Sequence, residues 1–432
     1  MQTFIIVWLG QLVSTIGSYM TNFAIKIWVW ELTGQASALT LVVFFTQVPQ
    51  VFIALFAGVI VDRCNRKVLI VLGDTVAGLS TITILLLYLT NHLQIWHLYV
   101  TGAVNGAFGQ IQELAYSASI AMIIPKQQYT RASSMGSILH YGSSIFAPAL
   151  AGVLYYVIGL TGILLIDLTT FAIAIGTVLL VHIPQPILTE AERLSRRNIW
   201  RDIAFGFGYI FTRPSLLAVL LTTSLFWFAH DLGNSVYAPM ILARTGNDAR
   251  VLASLSSAAG IGGVVGAAIV STWGGPKRRI HGMLRGFMGA GLSKTVFGLG
   301  QMPLIWIPAQ FCSSLNFPLL GSSEQAIWLA KVKPDVQGRV FAANSVILQV
   351  VSAVAYLIGG PLADYVLEPI MRPGGILAPI LGGIFGTGPG AGMALFYVFT
   401  SICLLLVGIG GYAFRTLRDV EDIVPDHDGA AV

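Results

Sequence analysis

The stretch Gly58-Val59-Ile60-Val61-Asp62-Arg63-Cys64-Asn65-Arg66-Lys67 closes one apolar run and opens another. Before it, Phe52-Ile53-Ala54-Leu55-Phe56-Ala57 carries no charge; after it, Val68-Leu69-Ile70-Val71-Leu72 resumes the same composition. One acid and three bases therefore stand in a loop between two segments suited to lipid. Outward from this loop the alternation repeats along the chain, and predicts helices at about 4–28, 37–61, 68–89, 97–124, 132–158, 161–183, 214–242, 251–273, 283–301, 303–330, 340–365 and 392–414. A hydrocarbon core about 30 Å thick needs roughly 20 residues at a rise of about 1.5 Å each. The expectation is an all-α polytopic membrane protein of twelve spans.

Composition agrees and narrows the function. Of 432 residues, 55% are hydrophobic and 10% charged, against about 25% charged in soluble domains. Cys64, Cys312 and Cys403 are far apart and lack paired spacing, which argues against a disulfide framework, a zinc site or any metal site. No phosphate-cradling G-x-x-x-x-G-K-[ST] loop occurs, so neither ATP nor another cofactor is called for. The net charge of +5 sits in short loops, where it sets topology rather than binding nucleic acid. Met1 to Trp8 offers no basic region and no small-residue cleavage site, so the first apolar run reads as a retained span.

Basic residues decide the orientation. Nineteen of the 24 fall in alternate loops, from Arg63, Arg66 and Lys67 to Arg415 and Arg418, while the opposite loops hold only Arg244, Arg250 and Arg372. The positive-inside rule then puts both termini in the cytoplasm. The longest connection on that side divides the chain into a six-helix bundle (1–183), a linker (184–213), a second bundle (214–414) and a tail (415–432). In the linker Ile199, Ile203, Phe207, Ile210 and Phe211 recur at helical spacing beside Arg193, Arg196, Arg197 and Arg201, which predicts an amphipathic helix on the inner leaflet. The acidic tail reads as disordered.

The halves also repeat. Arg131 opens the fifth span and Gly152 lies 21 residues on; Arg339 opens the eleventh and Gly360 lies 21 on, with Ala151-Gly152 matching Gly359-Gly360. A duplicated six-helix unit points to a transporter with its site between the repeats.

In that setting the opening decapeptide resembles the signature loop of the major facilitator superfamily, a glycine followed by D-R-x-x-R-[RK]. Trp8 to Gln11, Ile95 to Leu98, Pro148 to Gly152 and Gly274 to Arg279 extend the resemblance to a branch holding macrolide-efflux and enterobactin-exporter proteins. It implies a secondary transporter of a bacterial cytoplasmic membrane, commonly monomeric, exporting amphipathic small molecules such as siderophores, macrolides or other drug-like compounds in exchange for protons. It also implies a cytoplasmic gate built from Gly58, Asp62, Arg63, Arg66 and Lys67. The second-half loop, Gly274 to Arg279, keeps the bases and lacks the acid. Gly142, Pro148 and Gly152 in the fifth span resemble an antiporter element, with alanines at two of its glycines.

The resemblance places spans one, four, seven and ten around a central cavity, and each carries a polar stripe here. Gln11, Thr15, Ser18, Asn22 and Lys26 follow one face of the first. Asn105, Gly109, Gln112, Glu113 and Tyr116 do so in the fourth; Thr223, Trp227, His230, Asp231, Asn234 and Tyr237 in the seventh; Gln310, Ser314, Phe317, Gly321, Glu324, Gln325 and Trp328 in the tenth. A charge at mid-bilayer costs about 2.5–3.5 kcal/mol or more and needs a reason. Glu113 is therefore the leading proton-coupling carboxylate, with Asp231 and Glu324 as rivals. Asn22, Lys26, Asn105, Gln112, Trp227, His230, Asn234, Phe317 and Trp328 are the cavity candidates, although Lys26 also suits snorkelling to the outer interface. Asp74, Asp167 and Lys294 read as structural pairs. Direction is not encoded by the loop, so an importer or lysolipid flippase stays open. A polytopic membrane enzyme would need clustered catalytic groups, and the sequence offers Asp419-x-x-Asp422 in the tail and Gly260-x-Gly262 with Gly266 inside the eighth span, where small residues serve helix packing.

Overall fold

The computed structural model describes residues 2–123, 129–181 and 199–423, and among these it contains helices and no strand. The first four are α1 (Gln2–Thr33), α2 (Ala36–Arg63), α3 (Arg66–Leu89) and α4 (Ile95–Ile123). Then follow α5 (Tyr129–Leu180), α6 (Ile199–Phe211), α7 (Pro214–Arg244), α8 (Ala249–Trp273) and α9 (Arg279–Leu299). Next come α10 (Pro303–Leu315), α11 (Phe317–Lys331) and α12 (Gln337–Leu362), the last running through a π-turn into α13 (Glu368–Met371). α14 (Ala378–Phe385), α15 (Ala391–Gly411), α16 (Arg415–Arg418) and α17 (Val420–Ile423) complete the order.

Eight of the described helices are long and apolar enough to cross a membrane. The twelve expected spans map onto α1–α4, two legs of α5, α7, α8, α9, the pair α10/α11, α12 and α15. The fifth and sixth spans are two helical legs joined by a sharp turn at Gly159, whose φ of 64° is available to glycine without a Cβ clash. The tenth is broken in two, because Pro318 in the first turn of α11 supplies no N–H to continue the ladder. Beside the break, Asn316 Nδ2 donates to the Cys312 carbonyl at 2.8 Å.

The described chain forms two compact units. The first comprises 1–34, 41–197 and 247–257, and the second 35–40, 198–246 and 258–432. In unit 1, α1 lies along α5, and α3 packs on α4 and α5. α4 meets α2 at Gly102 and Gly106, a small-residue pair one turn apart. A Cβ at Gly106 would run into the Thr46 carbonyl oxygen, which is backbone and cannot move aside. Gly106→Val should therefore cost about 2 kcal/mol by overpacking and lower the melting temperature by about 4–8 °C. A thermal-shift series on purified protein, in which Val melts like wild type, would show that the two helices do not approach this closely.

Unit 2 is built on a core of Phe226, Phe287, Leu284, Ile327, Trp328 and Leu404 from α7, α9, α11 and α15. The linker helix α6 belongs to it. Gly206 faces the Arg339 carbonyl of α12, and the Arg339 guanidinium stands 5.1 Å from the Phe205 ring, so α6 docks on a helix as well as presenting exposed Phe205 and Phe211.

The internal repeat has a structural counterpart. Gly152 packs against the first turns of α8, where a Cβ would stand 2.5 Å from the Ala253 Cβ. Gly360, its match in sequence, packs against the first turn of α2, 2.6 Å from the Ser37 Cα on the same construction. Both helix starts are capped from the glycine-bearing helix. Tyr156 Oη accepts from Ala249 N at 2.8 Å, and the Asp364 carboxylate accepts from Ala36 N and Ser37 N at 3.0 and 2.7 Å. The free N–H groups of a helix start are satisfied by these oxygens.

Candidate functional site

The signature loop is a helix end, a cap and a helix start. Asn65 Oδ1 accepts from Lys67 N and Val68 N at 3.0 and 3.3 Å, capping α3. Arg66 is buried and donates to the Ala118 carbonyl at 2.9 Å. Lys67 Nζ donates to the carbonyls of Leu179 and Val181, each at 2.8 Å. Both bases therefore meet carbonyls near the C-terminal ends of α4 and α5, where the helix dipole is negative. Gly58 and the side chains of Asp62 and Arg63 lie outside the described residues.

In unit 1 the polar stripes divide between bonding and open positions. Gln11 Nε2 and Gln112 Nε2 donate to the buried Asp74 at 3.1 and 2.6 Å. Asn105 Oδ1 accepts from Ser80 at 3.0 Å. Asp167 accepts from Thr21 at 2.9 Å, Thr81 at 3.2 Å and Ser18 at 3.5 Å. Asp74 and Asp167 are buried, and their described partners are neutral amides and hydroxyls and not the bases that structural pairing would call for. Asn105 and Gln112, read as cavity groups, join α4 to α3. Glu113, one residue on, is exposed and makes no hydrogen bond among the described residues, though its charge reaches the Tyr19 hydroxyl. Asn22 and Lys26 share the exposed face of α1. Gly142 is half-buried and Pro148 buried in the first leg of α5.

In unit 2, Asp231 is buried, bonded to Ser352, and interacts electrostatically with Lys294 across α7 and α9. Lys294 Nζ also donates to Tyr397 Oη at 3.1 Å. Asn234 Nδ2 donates to Tyr356 Oη on α12 at 2.7 Å. The remaining candidates converge: Trp227 and Phe317 have ring centroids 6.0 Å apart, and His230 and Phe317 lie 5.1 Å apart. Glu324 lies near the Trp328 and Thr223 side chains, whose buried Nε1 and Oγ1 have no hydrogen-bond partner among the described residues.

Sequence reasoning missed the role of the tail. Residues 415–423 are ordered as α16 and α17 and dock on the second-half loop. Arg278 pairs with Asp422 at 2.9 Å, Glu421 Oε2 accepts from Ile280 N at 3.2 Å, and Lys331 Nζ donates to the Glu421 carbonyl at 2.7 Å. The acid missing from Gly274 to Arg279 is thus supplied by the chain terminus. Its signal was the acidic run itself, in a protein whose other loops are basic.

Embedded carboxylates on a duplicated helical scaffold are the parts of a transporter, and residues 7–356 match the family model described as Major Facilitator Superfamily. The chain belongs to this superfamily. It is 26% identical over 366 residues to macrolide efflux protein A of Streptococcus pyogenes, covering 84% of this chain and 89% of that one. Macrolide efflux protein A of Enterococcus faecalis is 27% identical over 296 residues, covering 67% and 90%. Among solved structures, a bacterial homologue of the human lysosomal transporter Spinster, inward-facing and unoccupied, superposes with a TM-score of 0.68 at 16% identity, covering 94% of this chain and 96% of the other. The nucleoside transporter NupG gives 0.67 at 10%, covering 96% and 100%. As a member of the superfamily the chain is a multi-pass membrane transporter and not an enzyme.

Proposed function

We propose that this transporter exports a small amphipathic molecule by alternating access in exchange for protons, as a monomer in a bacterial inner membrane with both termini in the cytoplasm. The observation that carries the reading is the extent of its likeness to the macrolide efflux proteins, which runs over most of both chains and not only through the signature loop. Proton exchange is supported by Glu113. Of the three candidate acids it alone is exposed, whereas Asp231 is buried near Lys294 and Glu324 is half-buried beside Trp328 and Thr223. A carboxylate free of fixed partners can exchange its proton with either side as access alternates. Gly58, Asp62, Arg63, Arg66 and Lys67 serve as the cytoplasmic gate. Macrolides, siderophores and comparable drug-like molecules are the cargo class.

Inverted vesicles that respire and carry a luminal pH dye test this reading. Adding a macrolide or siderophore panel should release luminal protons and concentrate one compound at least tenfold inside. Uptake confined to right-side-out vesicles would instead make the protein an importer, and transfer of a lysolipid alone would make it a flippase.

A further inference from the structure

Unit 2 carries a lobe beyond its long helices to which the transport cycle proposed above assigns no role. α12 starts beside the basic residues Lys333 and Arg339 and ends on the opposite side, where the chain runs through α13 and α14 before entering α15. From Pro373 to Phe414 it holds no Asp, Glu, Lys, Arg or His, although 373–390 belongs to neither long helix. At the centre is α14, Ala378-Pro379-Ile380-Leu381-Gly382-Gly383-Ile384-Phe385. Its eight residues at a rise of about 1.5 Å reach about 12 Å, too short to cross a bilayer. Phe385 turns inward and is buried. Ile380 and Ile384, one turn apart on one face, are 72% and 50% exposed, and Ile376 in the preceding connection is 80% exposed.

The backbone of α14 is satisfied as a helix removed from water must be. In its first turn, Ala378 N donates to the Gly375 carbonyl at 3.3 Å, Ile380 N and Leu381 N donate to the Leu377 carbonyl at 3.1 and 2.8 Å, and Pro379 has no N–H to place. At the other end Gly386 N, at a φ of 76°, closes on the Gly382 carbonyl at 2.9 Å. Gln301 Nε2 donates to the Ile384 carbonyl at 2.8 Å, and Arg244 at the end of α7 donates to the Phe385 carbonyl at 2.7 Å. Solvent can satisfy the last carbonyls of a helix in water; lipid cannot, so protein donors must. The exposed face also continues the apolar surface of the spans. The Gln301 bond brings the end of α14 to the start of α10, where Met302 and Leu304 are exposed, and Tyr365 and Val366 are exposed where the lobe leaves α12. An exposed tyrosine at a span end suits the headgroup level. A second copy of the chain would need about 800 Å² on each partner, more than one face of eight residues supplies. We propose that the lobe seats Ile376, Ile380 and Ile384 in the leaflet at that end of unit 2, the outer leaflet in the orientation proposed above, at the boundary of headgroups and acyl chains. Through Arg244 and Gln301 the lobe ties the end of α7 and the connection before α10 to that lipid. The seat does not depend on the direction in which cargo moves.

Fluorescence quenching of the full-length protein in phosphatidylcholine nanodiscs tests it, with bimane on single cysteines introduced after Cys64, Cys312 and Cys403 are replaced by serine. Ile380→Cys reports on the lobe, Phe399→Cys on an exposed apolar position of α15, and Lys333→Cys on an exposed position of a basic loop. Lipid carrying a nitroxide at the fifth acyl carbon should quench the label at 380 as strongly as the one at 399. Iodide should quench it at least about fivefold less than the label at 333. Iodide quenching equal to that at 333 puts the face in water and overturns the proposal. Protection from both quenchers, with a doubled particle mass, makes the face a contact between two copies and overturns it as well. A second arm places the label on Ile376→Cys and changes the neighbouring isoleucine. Ile384→Asp should cut lipid quenching there at least about threefold, whereas Ile384→Leu should keep it. Both changes fall at an exposed position, so a wild-type melting temperature separates loss of the seat from loss of the fold. Unchanged lipid quenching in a folded Ile384→Asp variant would show that the isoleucines do not hold the lobe in the leaflet.

Discussion

Glu113→Gln is expected to move cargo down a gradient and to lose all ability to concentrate it. The glutamine mimics the protonated carboxyl in shape and hydrogen-bonding groups but has no proton to release. A transporter fixed in that state can still alternate between sides with cargo bound, so downhill exchange continues while the link to the proton gradient is broken. One charge crossing about 150 mV gains about 3.5 kcal/mol, which at about 1.4 kcal/mol per decade sustains a gradient of a few hundredfold. The accumulation ratio in energised inverted vesicles should therefore fall from that ceiling toward one. Counterflow in de-energised vesicles should persist. If the variant concentrates cargo like wild type, Glu113 carries no coupling proton and Asp231 becomes the acid to test.

Truncation after Arg418 should lower the melting temperature by about 10 °C, the largest stability change expected from any edit outside the spans. Three contacts go together. Val420 is fully buried in the unit 2 core, and burying a valine contributes about 1.5 kcal/mol. The Glu421 carboxylate caps Ile280 N at the start of α9, worth about 1 kcal/mol. Removing its carbonyl deprives the buried Lys331 of an acceptor, at about 1.5 kcal/mol or more for a charged donor. About 4 kcal/mol in a unit of this size corresponds to about 8–16 °C. Asp422→Ala alone should shift melting by less than about 4 °C, because both it and Arg278 are well exposed and such pairs contribute about 1 kcal/mol at most. A truncated protein that melts like wild type would mean the tail merely rests on the loop. The Arg418 hydrogen bond holds the Asp419 carboxyl below its usual range. This charge contact therefore persists at neutral pH and is lost only as pH falls through that lowered value.

Much of the architecture was legible because a bilayer imposes one-dimensional rules. Span length, basic loops and paired glycines are all readable along the chain, and Gly152 and Gly360, matched by spacing alone, do sit at equivalent close approaches to helix starts. The order of the tail was not legible, because acidic composition speaks only of solvation, while the docking of residues 415–423 depends on Arg278, Ile280 and Lys331 arriving from elsewhere in the chain.

What only the tertiary structure decided is the rotation of each helix about its own axis. Gln112 and Glu113 are neighbours on α4, about 100° apart around the axis, and composition cannot say which one turns inward. The structure turns the amide toward Asp74 and leaves the acid exposed. On α11 the corresponding pair after Gly321 is reversed in order, so Glu324 turns toward Trp328 and Thr223 while Gln325 is exposed. The sequence by itself determined that there would be acids in the spans and which helices would carry them. Which acid stays free and which is enclosed depends on the side chains packed against each face, which come from distant parts of the chain.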